Sequence, residues 1–447
     1  MTAASLSPRW LVVLLIMLGI KLTFAGFVFF DASRAFLPDA YGYADLANNL
    51  LARGQFDVPG EPALAAIRTP GYPAFIAGIY AILGRTPGWV ILIQLVLDAL
   101  TGGLIWQIGK QIFSDAVGWL GAFIYALSVN ATAGALYLLS DTLFTFLLVA
   151  AFFGAMRFWQ THANRWLGLT GLVLGIATLT RPIGLYLALI WLGVAAIFVW
   201  QSAWQNWRGL VAMAAILSVL VAPWMFRTWT LTGRVAFSAA EAMNLYCCFA
   251  PAAVAQDTGV SLDQAKQQVN TIYPGSLNEI TPPELFRLGD YAVGIIWQHP
   301  IGYIKAHLKG ITATLFEPAY KQWAQTLGIA YTPSGFLSEL VRLNVRGAWA
   351  SLTENTSAGL LLLIPLFNIV YAIAEYILAT LGALEIFRRA RDQKTLALAV
   401  IGALTIVYIV AAPGPGGGLR FRIPAEPFLA LFAASGMQWN NARINFK

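Results

Sequence analysis

Residues 10–49 read WLVVLLIMLGIKLTFAGFVFF followed by DASRAFLPDAYGYADLANN. The first piece is an apolar run of about 20 residues, the length that crosses the hydrocarbon core of a bilayer. It is long for the apolar region of a secretory signal, and no small-residue cleavage site follows. It therefore reads as an uncleaved first transmembrane helix. The second piece turns polar at once, placing Asp39, Tyr41, Tyr43 and Asp45 just beyond the helix exit.

The same alternation of greasy run and polar collar recurs along all 447 residues. The chain is 58% hydrophobic and 11% charged, with a mean hydropathy of +0.67. Soluble domains carry about 25% charged residues, so this chain is short of the charge needed to face water all round. A soluble protein with a large core would also need amphipathic helices between the runs, and few are present. Apolar runs fall at about 10–30, 89–109, 116–136, 142–159, 166–179, 183–200, 209–226, 359–386, 395–412 and 424–438. The expected class is an all-α polytopic membrane protein with about 10 transmembrane helices.

The net charge of +7 and the pI of about 9.4 follow from where the basic residues collect. Arg9, Lys110, Arg157, Arg165, Arg208, the cluster Arg388, Arg389, Arg391 and Lys394, and the tail residues Arg443 and Lys447 all fall on one side of this threading. The positive-inside rule makes that side cytoplasmic, with both termini inside. No basic stripe interleaved with aromatics lies elsewhere, so a nucleic-acid partner is not expected. On the opposite side lie a long first loop, 31–88, and a much longer one, 227–358. Within the latter, residues 290–316 are amphipathic, with Lys305, His307 and Lys309, and read as an interfacial helix broken near Pro300. The expected organisation is an N-terminal seven-span module (1–226) containing the loop 31–88, an outer loop region (227–358) and a C-terminal three-span module (359–447). No internal repeat is evident. The only cysteines, Cys247 and Cys248, are adjacent, lack metal-ligand spacing and read as two packed thiols.

Two charges stand inside the apolar runs. Lys21 and Asp98 each lie about nine residues from the outer end of their span, Phe30 and Trp89, and so at the same depth. A lone charge there is expensive and a partner at the same level removes most of the penalty, so they read as a structural ion pair; a proton or ion pathway is the competing reading. Glu375, in the middle of the eighth span, has no evident partner and can be neutral.

The outer loops repeat one set of side chains: Asp39, Asp45, Arg68, Asp141, Arg181, Arg227, Arg420 and Arg422, mostly within a few residues of a span end. A bundle would bring these ends together. One carboxylate among several guanidiniums suits transfer of a group away from a phosphate: the carboxylate takes a proton from the incoming nucleophile, and the arginines neutralise the leaving phosphate. Each residue also has a plainer reading. Asp39 alone would be the N-cap of a helix beginning near Tyr41, Arg181 and Arg227 would be anchors at helix ends, and PGPGGGLRFR (413–422) would be a flexible hairpin.

The stretches PDAYGYADLANNLLARGQF, RTPGYPAFIAG, LLSDTLFTFLL (138–148), GIATLTRPIGLYL (175–187), APWMFRTWTLTGRVAFSAAEAMNLY (222–246), WQHPIGYI (297–304) and RFRIPAEPFLALFAASG (420–436), in this order, resemble the GT-C glycosyltransferases of the family-39-like group. Relatives of that group include protein O-mannosyltransferases and the lipid A aminoarabinose transferase. The resemblance implies a GT-C fold, with juxtamembrane helices in the first outer loop and a large outer loop before the last three spans. It implies a glycosyltransferase that moves a hexosyl or pentosyl group from a polyprenyl-phosphate donor to a lipid, glycan or protein acceptor at the extracytoplasmic face of the plasma (inner) membrane, with inversion. By the same resemblance Asp39 is the catalytic base, and Arg68, Arg181, Arg420 and Arg422 engage the donor phosphate. Tyr43, Tyr72, Asp141 and Arg227 belong to the substrate pocket, with the role of Asp141 open between acceptor positioning and metal contact. Several relatives carry Asp-Glu where this chain has Asp39-Ala40, so no metal or other cofactor is expected. The alternatives are a transporter or flippase of lipid-linked sugars, and an O-antigen-ligase or polymerase-like GT-C enzyme.

Overall fold

The computed structural model of the chain describes residues 8–201, 206–271, 273, 279–317, 319–328, 339, 344–353, 360–390 and 392–438. Arg391, Arg443 and Lys447 of the basic set lie outside these residues. Among the described residues every regular element is a helix. The longer ones are α1 (Pro8–Phe30), α2 (Pro38–Arg53), α3 (Gly71–Leu83), α4 (Pro87–Ile112), α5 (Asp115–Ala126), α6 (Asp141–Thr161), α7 (Asn164–Thr180), α8 (Gly184–Gln201), α9 (Trp207–Thr232), α10 (Pro282–Gln298), α11 (Pro300–Phe316), α12 (Leu360–Arg389), α13 (Gln393–Ala411) and α14 (Glu426–Met437). The protein is an all-α integral membrane protein.

Over its described residues each expected apolar run is largely helical, but the helix lengths differ. Among the described residues α4, α6, α9, residues 366–389 of α12, and α13 are long and apolar enough to cross a bilayer. The run expected as one span over 116–136 is instead two helices, α5 and Val129–Ala135, bent by 62°. The break has a local cause: Ser128, which follows the end of α5, has its hydroxyl accepting from Ala131 N–H (3.1 Å), an N-cap that starts a new helix in a new direction. The amphipathic segment in the large loop is likewise two helices, α10 and α11, meeting at His299–Pro300, where proline takes the first-turn position it tolerates.

Helix α6 runs through the middle of the bundle, with 67% of its most apolar stretch buried, while α9 lies outside with 22%. Around α6 pack α4 and α7; α7 in turn carries α8 and α9, and α14 is gripped by α5 and α12. In the last pair Gly382 of α12 abuts the Phe432 carbonyl and Gly436 of α14 abuts the Leu378 carbonyl, leaving no room for a Cβ on either side. Close backbone contact of this kind is how helices associate in lipid, where burial of apolar surface supplies no drive. Between α4 and α1 the buried charges Lys21 and Asp98 form an ion pair, and the Tyr125 hydroxyl donates to Asp98 Oδ1 (2.5 Å).

Candidate active site

Helix α2 starts because Pro38 occupies its first turn after an extended Leu37, which is its N-cap. Asp39 is therefore not a cap, as its spacing from Tyr41 suggested; it sits inside the first turn with its carboxyl free to reach outward. Gly42 and Tyr43 face inward on the same helix, and Asp45 is exposed. Arg68 ends the short helix Leu64–Ile67 in an extended conformation, and its side chain folds back onto α2.

Asp39 is bracketed by two cations. Arg68 Nη2 donates to its Oδ1 at 2.8 Å and Arg420 Nη2 to its Oδ2 at 2.7 Å. Arg68 stacks on the Tyr43 ring, 4.6 Å from its centroid, and Tyr43 meets Tyr72 edge-on at 4.9 Å. Tyr72 is fixed from behind by donating to Gln94 Oε1 (2.6 Å). On its other side Arg420 lies 3.8 Å from Asp141 Oδ2 through Nε, and Asp141, at the first position of α6, is paired with Arg181. Phe421 stands between the two arginines, 5.3 Å from the Arg420 guanidinium and 6.0 Å from that of Arg181. Tyr43 closes the ring by lying 3.4 Å from the Ser140 hydroxyl. Three guanidiniums and two carboxylates from five separated segments thus form one chain: Arg68, Asp39, Arg420, Asp141, Arg181.

The charge state follows from this arrangement. Burial alone would raise the Asp39 carboxyl, but the Arg68 and Arg420 guanidiniums hold it well below the usual carboxylate range. Burial would likewise lower Arg420, and Asp141 and Asp39 more than reverse that. Asp39 is ionised at any physiological pH. Arg68 Nε and Arg420 Nε are buried with no hydrogen-bond partner, so the cluster has donors left over and one positive charge in excess.

Two arginines expected at this site are elsewhere. Arg422, two residues after Arg420, is fully buried; its Nε donates to Glu426 Oε1 (2.7 Å) and its Nη1 to the Leu315 carbonyl and the Tyr376 hydroxyl. Every one of those partners lies outside the Asp39 chain. Arg227 donates to the Ala65 and Phe56 carbonyls (2.8 and 3.0 Å) and stacks on Trp224 at 4.5 Å, so it ties the first loop to α9 and does not reach Asp39. In both cases the side chain is held by neighbours outside the Asp39 chain.

Besides Gln94, Ser140 and Phe421, two acidic residues around the turn 419–425 escaped the sequence reading. Glu426 stands four residues after Arg422, a spacing that signals an ion pair on a helical turn. Glu317 accepts from Leu419 N–H (2.8 Å) and so holds the turn before Arg420; nothing in its surroundings in sequence announces it. Beside it, Gly310 of α11 and Gly414 touch backbone to backbone, with Gly414 at φ 52°, a pairing that only glycines allow. Among the described residues no three His, Cys, Asp or Glu side chains come together as a metal-holding group.

Residues 67–226, which carry Arg68, Asp141 and Arg181, match the family model for dolichyl-phosphate-mannose-protein mannosyltransferases. No curated protein sequence matches the chain significantly. Among solved structures, the oligosaccharyltransferase AglB from Archaeoglobus fulgidus, in complex with an inhibitory peptide and a dolichol-phosphate, is similar over 98% of this chain and 51% of its own, with a TM-score of 0.53 and 14% identity. The oligosaccharyltransferase of the same organism tethered to an acceptor peptide gives 0.52 and 14% over 97% and 50%. ArnT from Cupriavidus metallidurans bound to undecaprenyl phosphate covers 96% and 78% at 14% identity, with a looser TM-score of 0.43. The chain spans about half the length of the oligosaccharyltransferases it matches. It has the GT-C fold, the architecture of the superfamily of membrane glycosyltransferases that includes the family matched over residues 67–226.

Proposed function

We propose that the protein is a glycosyltransferase that moves a sugar from a polyprenyl-phosphate donor to a hydroxyl of a lipid, glycan or protein acceptor, at the extracytoplasmic face of the membrane with both termini cytoplasmic. The observation that carries this reading is Asp39 clamped between Arg68 and Arg420, each with a buried Nε–H to spare. A donor phosphate is the natural taker of those spare donors, since guanidinium–phosphate pairs are charge-assisted and geometrically matched. The mannosyltransferase family named by the match over residues 67–226 and the dolichol-phosphate held by the archaeal neighbour support a lipid phosphate as the leaving group.

In this reading the acceptor oxygen attacks the anomeric carbon and the bond from that carbon to the phosphate oxygen breaks. The lipid phosphate leaves with the bonding pair, the acceptor proton passes to Asp39, and the anomeric configuration inverts. Arg68, Arg420 and Arg181 neutralise the charge that grows on the phosphate. A carboxylate so deeply stabilised is a weak base in the resting site. Donor phosphate drawing the arginines toward itself loosens their hold on Asp39 and raises its basicity when the acceptor arrives. Tyr43, Tyr72 and Asp141 shape the pocket, and no metal enters this scheme. Asp39→Asn, assayed in membranes supplied with a polyprenyl-phosphate sugar, is expected to lower the transfer rate by about 10²-fold or more. Transfer at near wild-type rate would remove Asp39 from the chemistry.

A further inference from the structure

The chain has two cysteines, Cys247 and Cys248, and the reaction scheme uses neither. They share a single π-helical turn, Leu245–Phe249, set between the helices Ala240–Asn244 and Ala250–Thr258. Isolated π turns of this kind recur at functional sites. The residues around the pair hold the turn in place. Tyr246 and Ala250 are fully buried, and the Phe249 ring is seated against Gly414 and Gly416. Both cysteines stay partly exposed, so a solute can reach the sulfurs of a turn that its neighbours have fixed.

On an ordinary helix, side chains of adjacent residues do not face each other. Here the two sulfurs lie 2.8 Å apart. Non-bonded carbon atoms pack at about 3.5–4.0 Å, and a disulfide bond is about 2.0 Å long, so the pair stands between contact and bond. The two thiols also differ in acidity. The hydrogen bond from Cys247, helped by the Lys266 ammonium, brings the Cys248 thiol down to about 7. The same hydrogen bond, with burial, pushes the Cys247 thiol up. One sulfur is therefore a ready nucleophile and the other keeps its proton. Among the described residues no third His, Cys, Asp or Glu joins them, so the pair lacks the ligand set of a structural zinc site.

We propose that Cys247 and Cys248 are a redox modification site that closes to a reversible vicinal disulfide by exchange with a low-molecular-weight disulfide. The Cys248 thiolate attacks one sulfur of the oxidant, whose S–S bond breaks and releases one thiolate. The Cys247 thiol then gives up its proton and attacks Cys248 Sγ. The mixed disulfide breaks, and the second thiolate leaves and takes up that proton. Two electrons pass from the cysteines to the oxidant, which ends as two thiols. Neighbouring Cα atoms are about 3.8 Å apart, closer than the roughly 4.4–6.8 Å of a relaxed disulfide. The ring is therefore strained, and excess thiol reopens it.

Intact-mass spectrometry of the purified protein in detergent, first reduced and then incubated with oxidised glutathione, tests this. With no other cysteine in the chain, any loss of two hydrogens reports this pair. The wild type is expected to become lighter by about 2 Da, to retain no glutathione, and to regain its reduced mass in excess reduced glutathione. Cys247→Ser, which lacks the resolving thiol, is expected to stop at one glutathione adduct. Cys248→Ser is expected to form its adduct about tenfold more slowly, because the remaining thiol holds its proton; equal rates in the two variants would overturn Cys248 as the attacking sulfur. A wild type that keeps glutathione, links two chains or stays reduced overturns the proposal whatever the variants do, and leaves two packed thiols. So does a ring that closes just as fast in the chain unfolded by denaturant, since the fold would then contribute nothing.

Discussion

Arg420 and Arg422 are separated by one residue, on one 3-10 turn, and carry the same planar guanidinium. Arg420 keeps 26% of its side chain exposed and faces two carboxylates that belong to different helices, Asp39 through Nη2 and Asp141 at 3.8 Å from Nε, which makes no hydrogen bond. Arg422 keeps 0% and is matched to Glu426, itself 0% exposed, by a bidentate-capable group used on one oxygen. Each keeps one N–H without a partner, Nε of Arg420 and Nη2 of Arg422, but only Arg420 is open to a ligand from outside; Arg422 is sealed against its own counter-ion. Shared composition therefore says little about role, and what separates these two arginines is whether the side chain is open to a ligand or sealed from water with its counter-ion.

The sharpest way to break this contrast is to remove each side chain in turn. Arg422→Ala leaves Glu426 buried without its cation, a loss of about 3–5 kcal/mol for a buried pair. The expected result is failure to accumulate in membranes, read by detergent-solubilised size-exclusion profile; a stable, active Arg422→Ala protein would put Arg422 back among the site residues. Arg420→Ala is expected to fold and to lose donor affinity by about 10- to 100-fold, the worth of a hydrogen bond to a charged group, seen as a raised KM for the polyprenyl-phosphate sugar. If Arg420→Ala instead lowered kcat with KM unchanged, Arg420 would act only in the transition state. The smallest effect is in pH. A carboxylate whose folded pKa is depressed contributes stability that is complete above its unfolded value of about 3.9 and is lost as pH falls through the folded value. The Tm difference between wild type and Asp39→Asn should therefore be flat from pH 5 to 8 and shrink only below about pH 4. A difference that changed near neutrality would show that Asp39 is not held by its two arginines.

Much of this was legible before any coordinates. Apolar length is enough to place α4, α6, α9 and α13, because a bilayer demands it whatever the neighbours. Equal depth is enough to suggest that Lys21 faces Asp98, since the penalty for a lone charge is the same for both. Asp39, Arg68, Asp141, Arg181 and Arg420 could be gathered at one end of the bundle from topology and resemblance. What escaped depends on contacts distant in sequence. The break at Ser128 is a single hydroxyl choosing Ala131 N–H over a continuous helix. The diversion of Arg227 requires two carbonyls of the first loop, Ala65 and Phe56, which no local pattern announces. Arg422 could have been separated from Arg420 by the Glu426 spacing, but spacing alone does not tell that the pair is sealed from water.

The hydrogen bond from Arg420 to Asp39 joins positions 381 residues apart. During synthesis Asp39 is threaded early and Arg420 arrives only with the final pair of helices. Until then Asp39 has one of its two clamps, Arg68. A chain stalled or cut before this hairpin holds Asp39 by Arg68 alone, and on the proposed function it would be inert rather than half-competent.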